Sequence, residues 1–448
     1  MPHAELALFP RIIPVRKTVD LKIRIAGGPL FTQRQGNLLC QALPCTVYAM
    51  GLFESGPIAN RDHVLPLKYD PNADVFRLQV NCPAEQEYRL RIRSAADGQD
   101  LVVAELSFYA LEDDLFGRRP YKGDLHMHSN RSDGRDSPAH VAAACRRIGF
   151  DFMAVTDHRQ YDPSIEARDA FRELPVDLAI LPGEEIHAPG NPVHIVNFGG
   201  KSSINAMFQD PSYEAAVDRI RRGLDLPAGV DPFVYASTFW IFDQIRRVGG
   251  LGIFCHPYWL SYSPDQAQAA YISEALTSCL LERRPFDALE LLGGYHRHEV
   301  EANILQVTRY SAELARGLPL PIVGVSDAHG CETGKLFGWY YTVVFARSLD
   351  LPDLIGAVKD SFSVAVEALP GETVRVYGPF RLVKLALFLL REVFPEHDRL
   401  CAGEGSLMQS WIGEHPDGQA TDRQEILARL QQAQGRCAAW LDQVFARP

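Results

Sequence analysis

The chain lacks any run of the roughly 18 to 20 apolar residues that a helix needs to cross a bilayer. Its nearest approach, residues 382–390, is broken by Lys384. It lacks a basic surplus, since 45 Lys and Arg face 56 Asp and Glu for a formal net charge of −11. Duplex nucleic acid and anionic membranes both select basic surfaces, so neither is an expected partner. It lacks a Cys-x-x-Cys pair, and its nine cysteines are scattered and odd in number. That usage argues against a disulfide framework and for reduced thiols in a cytoplasmic protein, most of them buried as small apolar side chains. The first residues lack a basic start followed by an apolar core, so no signal peptide is expected. Neither an internal repeat nor a low-complexity tract is present.

What is present is a chain of 448 residues, long enough for two or three domains. Residues 1–118 alternate apolar and polar positions, as in Val19, Leu21, Ile23 and Ile25 or Tyr88, Leu90 and Ile92. Period two marks strands with one dry face, and about six short strands predict an N-terminal β-sandwich-like domain. Residues 119–370 have a different pattern, in which continuous apolar strands alternate with helical stretches such as 137–148, 241–248 and 298–314. Strands buried on both faces predict a parallel sheet in an α/β fold. Seven of them, starting near Lys122, Phe150, Leu178, Val193, Leu251, Ala288 and Ile322, favour a barrel-like closure. The connection 199–247 is long enough to be a lid, or a helical hairpin that only packs. Residues 371–448 read as a helical C-terminal extension.

The chemistry-bearing residues stand at or near the ends of the apolar runs. His126 and His128 are two apart on a predicted strand and so point the same way, and Asp133 follows in a polar loop. His158, Glu185, His194, His256, Asp327 and His329 accompany later runs. Imidazoles and carboxylates gathered on one barrel face are ligand chemistry for divalent transition metals. His187, two residues past Glu185, can reach the same face, whereas His140 lies on a predicted helix. Cys255 and Cys331 flank ligand positions and are expected to pack.

This arrangement resembles the PHP family, the polymerase and histidinol phosphatase superfamily of metal-dependent phosphoesterases. The resemblance rests on Asp124-Leu-His126-Met-His128-Ser with Ser132-Asp133-Gly134, Thr156-Asp157-His158, Gly183-Glu-Glu185-Ile, Val193-His194-Ile, His256-Pro257 and Ser326-Asp327-Ala-His329. These motifs follow family order over about half of the chain. The resemblance implies a distorted (β/α)7 barrel with up to three divalent metal ions, manganese, iron or zinc. By motif, His126, His128, Glu185 and Asp327 would hold the first ion. Glu185, His194 and His256 would hold the second, with Glu185 bridging, and Asp133, His158 and His329 the third. Glu184 would then face away, as adjacent strand residues do. Asp124 and Asp157 would orient histidines, and Glu290 reads as structural. Glu185, Asp327 and His329 are the expected catalytic residues.

Three carboxylates among these ligands leave three divalent ions in positive excess, which favours an anionic tetrahedral substrate. The expected activity is hydrolysis of a small phosphorylated metabolite, by attack of a metal-bridging hydroxide on phosphorus. Arg159, His296, Arg297 and His298 are candidate phosphate contacts, and Tyr258 and Trp259 a candidate apolar wall. Two alternatives stay open: a phosphodiesterase or exonuclease acting on nucleotides or nucleic acid, and a non-catalytic module that binds metal or ligand.

Overall fold

The computed structural model of the chain describes residues 5–26, 38–45, 64–65, 67–94, 101–263, 268–332, 336–413 and 422–446. The chain divides into two compact units. One comprises Met1–Arg119, Lys384–Pro395 and Gly435–Pro448; the other comprises Pro120–Val383 and Glu396–Gln434.

The first unit is built on β1 (Glu5–Phe9), β2 (Ile12–Pro14), β3 (Thr18–Ala26), β4 (Leu38–Cys45), β5 (Val64–Leu65), β6 (Lys68–Asp70), β7 (Val75–Asn81), β8 (Gln86–Ser94) and β9 (Leu101–Leu111). They form two sheets, in the orders β1-β3-β7-β6 and β2-β9-β8-β4-β5. The alternating pattern explains the packing. Leu21 and Ile23 of β3, Leu78 and Val80 of β7, and Leu90 and Ile92 of β8 enter one core, while Lys22 and Arg24 stay exposed. The C-terminal pieces of this unit pack against it: Arg391 pairs with Glu87 at 2.8 Å, Glu392 with Arg11 at 2.9 Å, and the Ala446 N–H donates to the Ile12 carbonyl at 2.8 Å.

Residues 371–448 are therefore not a unit of their own, although they are mostly helical, with helices Phe380–Glu392, Phe394–Trp411, Arg423–Ala433 and Arg436–Val444. Each amphipathic helix has too little apolar surface for a separate core, so each buries its stripe on whichever unit it meets. In the second unit, Leu407, Ile426 and Leu430 pack with Leu174, Val176 and Trp411.

The second unit is a mixed α/β structure. Its strands are β10 (Arg119–Asp124), β11 (Phe152–Met153), β12 (Ala179–Ile180), β13 (Gly183–Ile186), β14 (Ile195–Phe198), β15 (Leu251–Phe254), β16 (Leu260–Ser263), β17 (Gln268–Tyr271), β18 (Ala288–Leu292), β19 (Ile322–Gly324), β20 (Tyr340–Ala346), β21 (Ser363–Glu367) and β22 (Arg375–Tyr377). One sheet runs β12-β11-β10-β20-β21-β22, another β13-β14-β15-β18-β19, and β16 and β17 form a hairpin. Single parallel bridges, Met127 to Ala328 and His158 to Glu185, tie strand ends of the two larger sheets together. The expectation of a parallel sheet needs correction, because β14 runs antiparallel to both β13 and β15. The link from Ile186 to Ile195 is too short for a parallel crossover, which takes about a dozen residues or more.

Ser137 caps the helix Pro138–Arg147, its hydroxyl accepting from the His140 N–H at 3.2 Å. The long connection 199–247 is a helical pair, Ser212–Arg221 and Pro232–Arg247, clamped by the rings of Phe208, Tyr213 and Trp240. Among the described residues no helix is long and apolar enough to cross a membrane. Cys82, Cys145, Cys255, Cys279, Cys401 and Cys437 are free and buried, and Cys331 is free and half-buried.

Candidate metal centre

The chain runs past β10 through Leu125 to His128, and His126 and His128 present their rings on one side, 5.2 Å apart. The loop after them folds back because residue 134 is glycine: a Cβ there would sit 2.5 Å from the His128 carbonyl oxygen. This fold returns Asp133 to the histidines. Asp327 follows β19 in the left-handed region, at φ +50°, and its N–H donates to the His126 carbonyl at 2.9 Å. Gly294 makes room for it, since a Cβ there would lie 2.9 Å from Asp327 Oδ2. His256 and Arg159 are also left-handed, at φ +26° and +60°. Such residues cost about 1–3 kcal/mol each and gather where a site imposes them.

All nine motif residues converge. Glu185 stands at the middle, fully buried. Its Oε2 lies 3.5 Å from the Nε2 of both His126 and His128, and its Oε1 lies 3.0 Å from His194 Nδ1 and 3.7 Å from His256 Nε2. The two carboxylate oxygens thus face two different groups of donors. Asp327 Oδ1 completes the first group, 2.8 Å from His128 Nε2 and 3.4 Å from His126 Nε2. His194 Nδ1 and His256 Nε2 are 2.8 Å apart in the second. Asp133 forms a third group, 3.3 Å from His158 Nε2 and 3.3 Å from His329 Nε2. Glu184 faces the other side of β13, where it accepts from Asn197 at 3.1 Å and Ser203 at 2.7 Å.

Burial works against charge on every one of these groups. It raises the Glu185 and Asp327 carboxyls, yet the surrounding imidazoles outweigh it and hold both below the usual carboxylate range. Burial lowers His158 as well, but Asp133 and Glu185 overcome it and raise that ring to about 10. His194 is pushed down to about 4, mainly by burial.

Buried polar atoms normally find hydrogen bonds. Here His126 Nε2, His128 Nδ1, His256 Nδ1 and both oxygens of Glu185 have none among the described residues. Orphaned lone pairs on imidazoles and carboxylates, facing one another at 3–4 Å, are the donor set a divalent cation requires. Two groups whose ligand atoms lie close enough together to hold a metal ion form here, one of His126, His128 and Asp327 and one of His128, Asp133, His158 and His329. The residues present therefore fit divalent metal ions.

Two members of the site were missed or discounted in the motifs. Glu290, buried on β18, lies 3.4 Å from the Nδ1 of both His126 and His256 and accepts from the His256 backbone N–H at 3.2 Å. It hydrogen-bonds the far edge of the His126 ring and the backbone of His256, two residues whose Nε2 atoms face the centre. Its sequence signal is a lone carboxylate inside the apolar run Ala288–Leu292. His187 places its Nε2 2.9 Å from His158 Nδ1 and 3.4 Å from Glu185 Oε2. Asp124 and Asp157 take a different part from ring orientation. Asp124 accepts from the backbone N–H of His126 and of Ser326, and Asp157 from the N–H and hydroxyl of Ser129 at 2.8 and 2.5 Å.

A cavity of about 500 Å³ opens over the centre, lined among others by Trp259, Tyr295, His296 and Leu336. Tyr258 and Arg297 do not line it. Arg297 pairs instead with Glu372 at 3.2 Å. Arg159 is exposed and lines a neighbouring cavity that shares His187 with the first. The His298 side chain lies outside the described residues.

No family model matches the chain. A segment of 57 residues, 13% of the chain, is 46% identical to the DNA polymerase/3'-5' exonuclease PolX of Bacillus subtilis and spans 10% of that protein. A longer segment of 194 residues is 24% identical to an uncharacterized protein of Methanocaldococcus jannaschii, covering 41% of this chain and 88% of that one. Among solved structures, a two-domain protein containing a predicted PHP-like metal-dependent phosphoesterase from Bacteroides vulgatus is 20% identical, with a TM-score of 0.37, over 56% of this chain and 65% of that one. The chain resembles the PHP family. Its PHP-type motifs are the residues that converge on Glu185, and the flanking β-rich unit carries none of them.

Proposed function

We propose that the chain is a metal-dependent phosphoesterase of the PHP type that hydrolyses a small phosphorylated metabolite. One observation carries this reading: a fully buried carboxylate, Glu185, has no hydrogen bond to either oxygen among the described residues, yet six imidazoles approach within 3.7 Å. Up to three ions would be held, one by His126, His128, Glu185 and Asp327, one by Glu185, His194 and His256, and one by Asp133, His158 and His329. When bound, such ions supply Lewis acidity and activation of water at neutral pH. The chain's own residues do the rest. Glu185 would serve two of these positions, Glu290 holds the His126 ring and the His256 backbone, and three carboxylates would leave the loaded centre cationic. Trp259, Tyr295 and Leu336 line the cavity beside the centre, and His296, which lines it too, would meet a substrate oxygen. Arg159, exposed and lining the neighbouring cavity that shares His187, offers a guanidinium for a remote anionic group.

The distorted (β/α)7 barrel belongs to the same reading. A ring of β10, β11, the β12–β13 segment, β14, β15, β18 and β19 closes through the two single bridges, which supports it. The cavity of about 500 Å³ suits a small ester rather than a polymer. The name of the PolX relative points to nuclease chemistry, and the test separates the two. Purified protein is assayed for metal content and for turnover of a chromogenic phosphomonoester and phosphodiester. Bound metal with monoester preference is expected. Diester preference would move the assignment to the nuclease reading, and metal-loaded protein that cleaves neither ester would make the chain a binding module.

A further inference from the structure

We propose that His187 is a further positioning residue of the centre: it accepts a hydrogen bond from the Nδ1–H of His158 and so aims His158 Nε2 at the Asp133–His329 position. The proposal rests on the metal-centre reading and adds a residue outside its nine motif positions. His187 follows Glu185 by two and leaves β13 on the same side. Its ring stacks on that of His194 at 4.0 Å. Its backbone N–H donates to Asn205 Oδ1 at 3.3 Å, and Asn205 Nδ2 donates to the Glu185 carbonyl at 3.1 Å. The loop is thus clamped at both residues, and the His187 ring is held by structure already present.

His158 turns a different edge to each neighbour. Its Nε2 faces Asp133 at 3.3 Å within the cluster that includes His128 and His329. Its Nδ1 lies 2.9 Å from His187 Nε2 in hydrogen-bond geometry. Glu185 Oε2 is also near that nitrogen, at 2.5 Å, yet it accepts no hydrogen bond among the described residues. A neutral imidazole has one donor and one acceptor nitrogen. Once Nε2 offers its lone pair to a cation, Nδ1 carries the proton and needs an acceptor. His187 Nε2 is that acceptor. An imidazole in this role leaves the pair uncharged, whereas a carboxylate would take one positive charge from the centre that has to attract an anion.

The test uses the full chain and reads metal rather than turnover. Wild type, His187→Ala and His187→Gln are titrated with Zn²⁺ against a competing chelator, and ions per chain are counted. The Ala variant is expected to hold one ion about 10–100-fold more weakly, with the others unchanged. Gln offers an oxygen close to the place of Nε2 and is expected to restore most of that loss. Equal thermal midpoints of the metal-free forms are expected and separate this effect from unfolding. An Ala variant that binds every ion like wild type would overturn the proposal, and so would a Gln variant as weak as Ala. Wild type that binds no ion would overturn the metal-centre reading itself, which keeps the two failures distinct.

Discussion

The α/β unit buries two clusters of charge, and they are finished in opposite ways. Around Arg146, which is fully buried, every partner is supplied by the chain. Its guanidinium donates to Glu404 Oε2 at 2.8 and 3.1 Å, to the Phe150 carbonyl at 3.0 Å and to Asp151 Oδ1 at 3.3 Å. Asp151 also faces His397 Nε2 at 2.8 Å and accepts from the Lys122 backbone N–H at 2.9 Å. Around Glu185, equally buried, polar atoms converge, and both of its oxygens, His126 Nε2, His128 Nδ1 and His256 Nδ1 have no hydrogen bond among the described residues. Both clusters mix carboxylate and imidazole, so composition does not separate them. Hydrogen-bond satisfaction does: a closed network specifies the packing, and an open one reserves its lone pairs for something else.

Four substitutions set the two clusters against each other. The largest effect is expected from Glu185→Gln, which should remove bound metal and take ester turnover below detection while the metal-free fold loses little stability. Metal analysis and unfolding in chelator would check both halves. Arg146→Met should do the reverse. Leaving Glu404 and Asp151 buried without their partner is expected to cost about 3–5 kcal/mol in urea unfolding, with the metal count of the folded fraction intact.

The third substitution reads pH. Burial lowers the His397 ring, but Asp151 and Asp398 outweigh it and raise it from its ordinary 6.5 to about 9. Its contribution is therefore complete below about pH 6.5 and fades as pH rises through about 9, a loss of no more than about 3 kcal/mol. His397→Asn should flatten that part of the stability profile of the chelated protein, and an unchanged profile would remove His397 as its source. The smallest effect is expected from Glu290→Gln, which keeps shape but weakens the orientation of His126 and His256. Metal affinity should fall about 10–100-fold, read by chelator competition.

The legible part of the centre was legible for a local reason. His126 and His128 share a face because strand side chains repeat every two residues, and the same rule separates Glu184 from Glu185. His187 carried that signal too, two residues past Glu185. Glu290 did not, because one carboxylate in an apolar run reads alike whether it faces a ring or a salt bridge. The antiparallel course of β14 was hidden because an apolar run has no direction. The division of the C-terminal helices was hidden because an amphipathic stripe says that it must be covered and not by what.

By itself the sequence determined the alternating strands of the β-rich unit, the α/β pattern that follows, and the donor types waiting at the strand ends. These depend on periodicity and on the chemistry of neighbouring residues. Only the tertiary structure decided which charges close on one another and which stay open. Pairing Arg146 with Glu404, or leaving Glu185 ringed by six imidazoles, brings together groups far apart along the chain, and the free energy of a buried charge depends on what surrounds it in space.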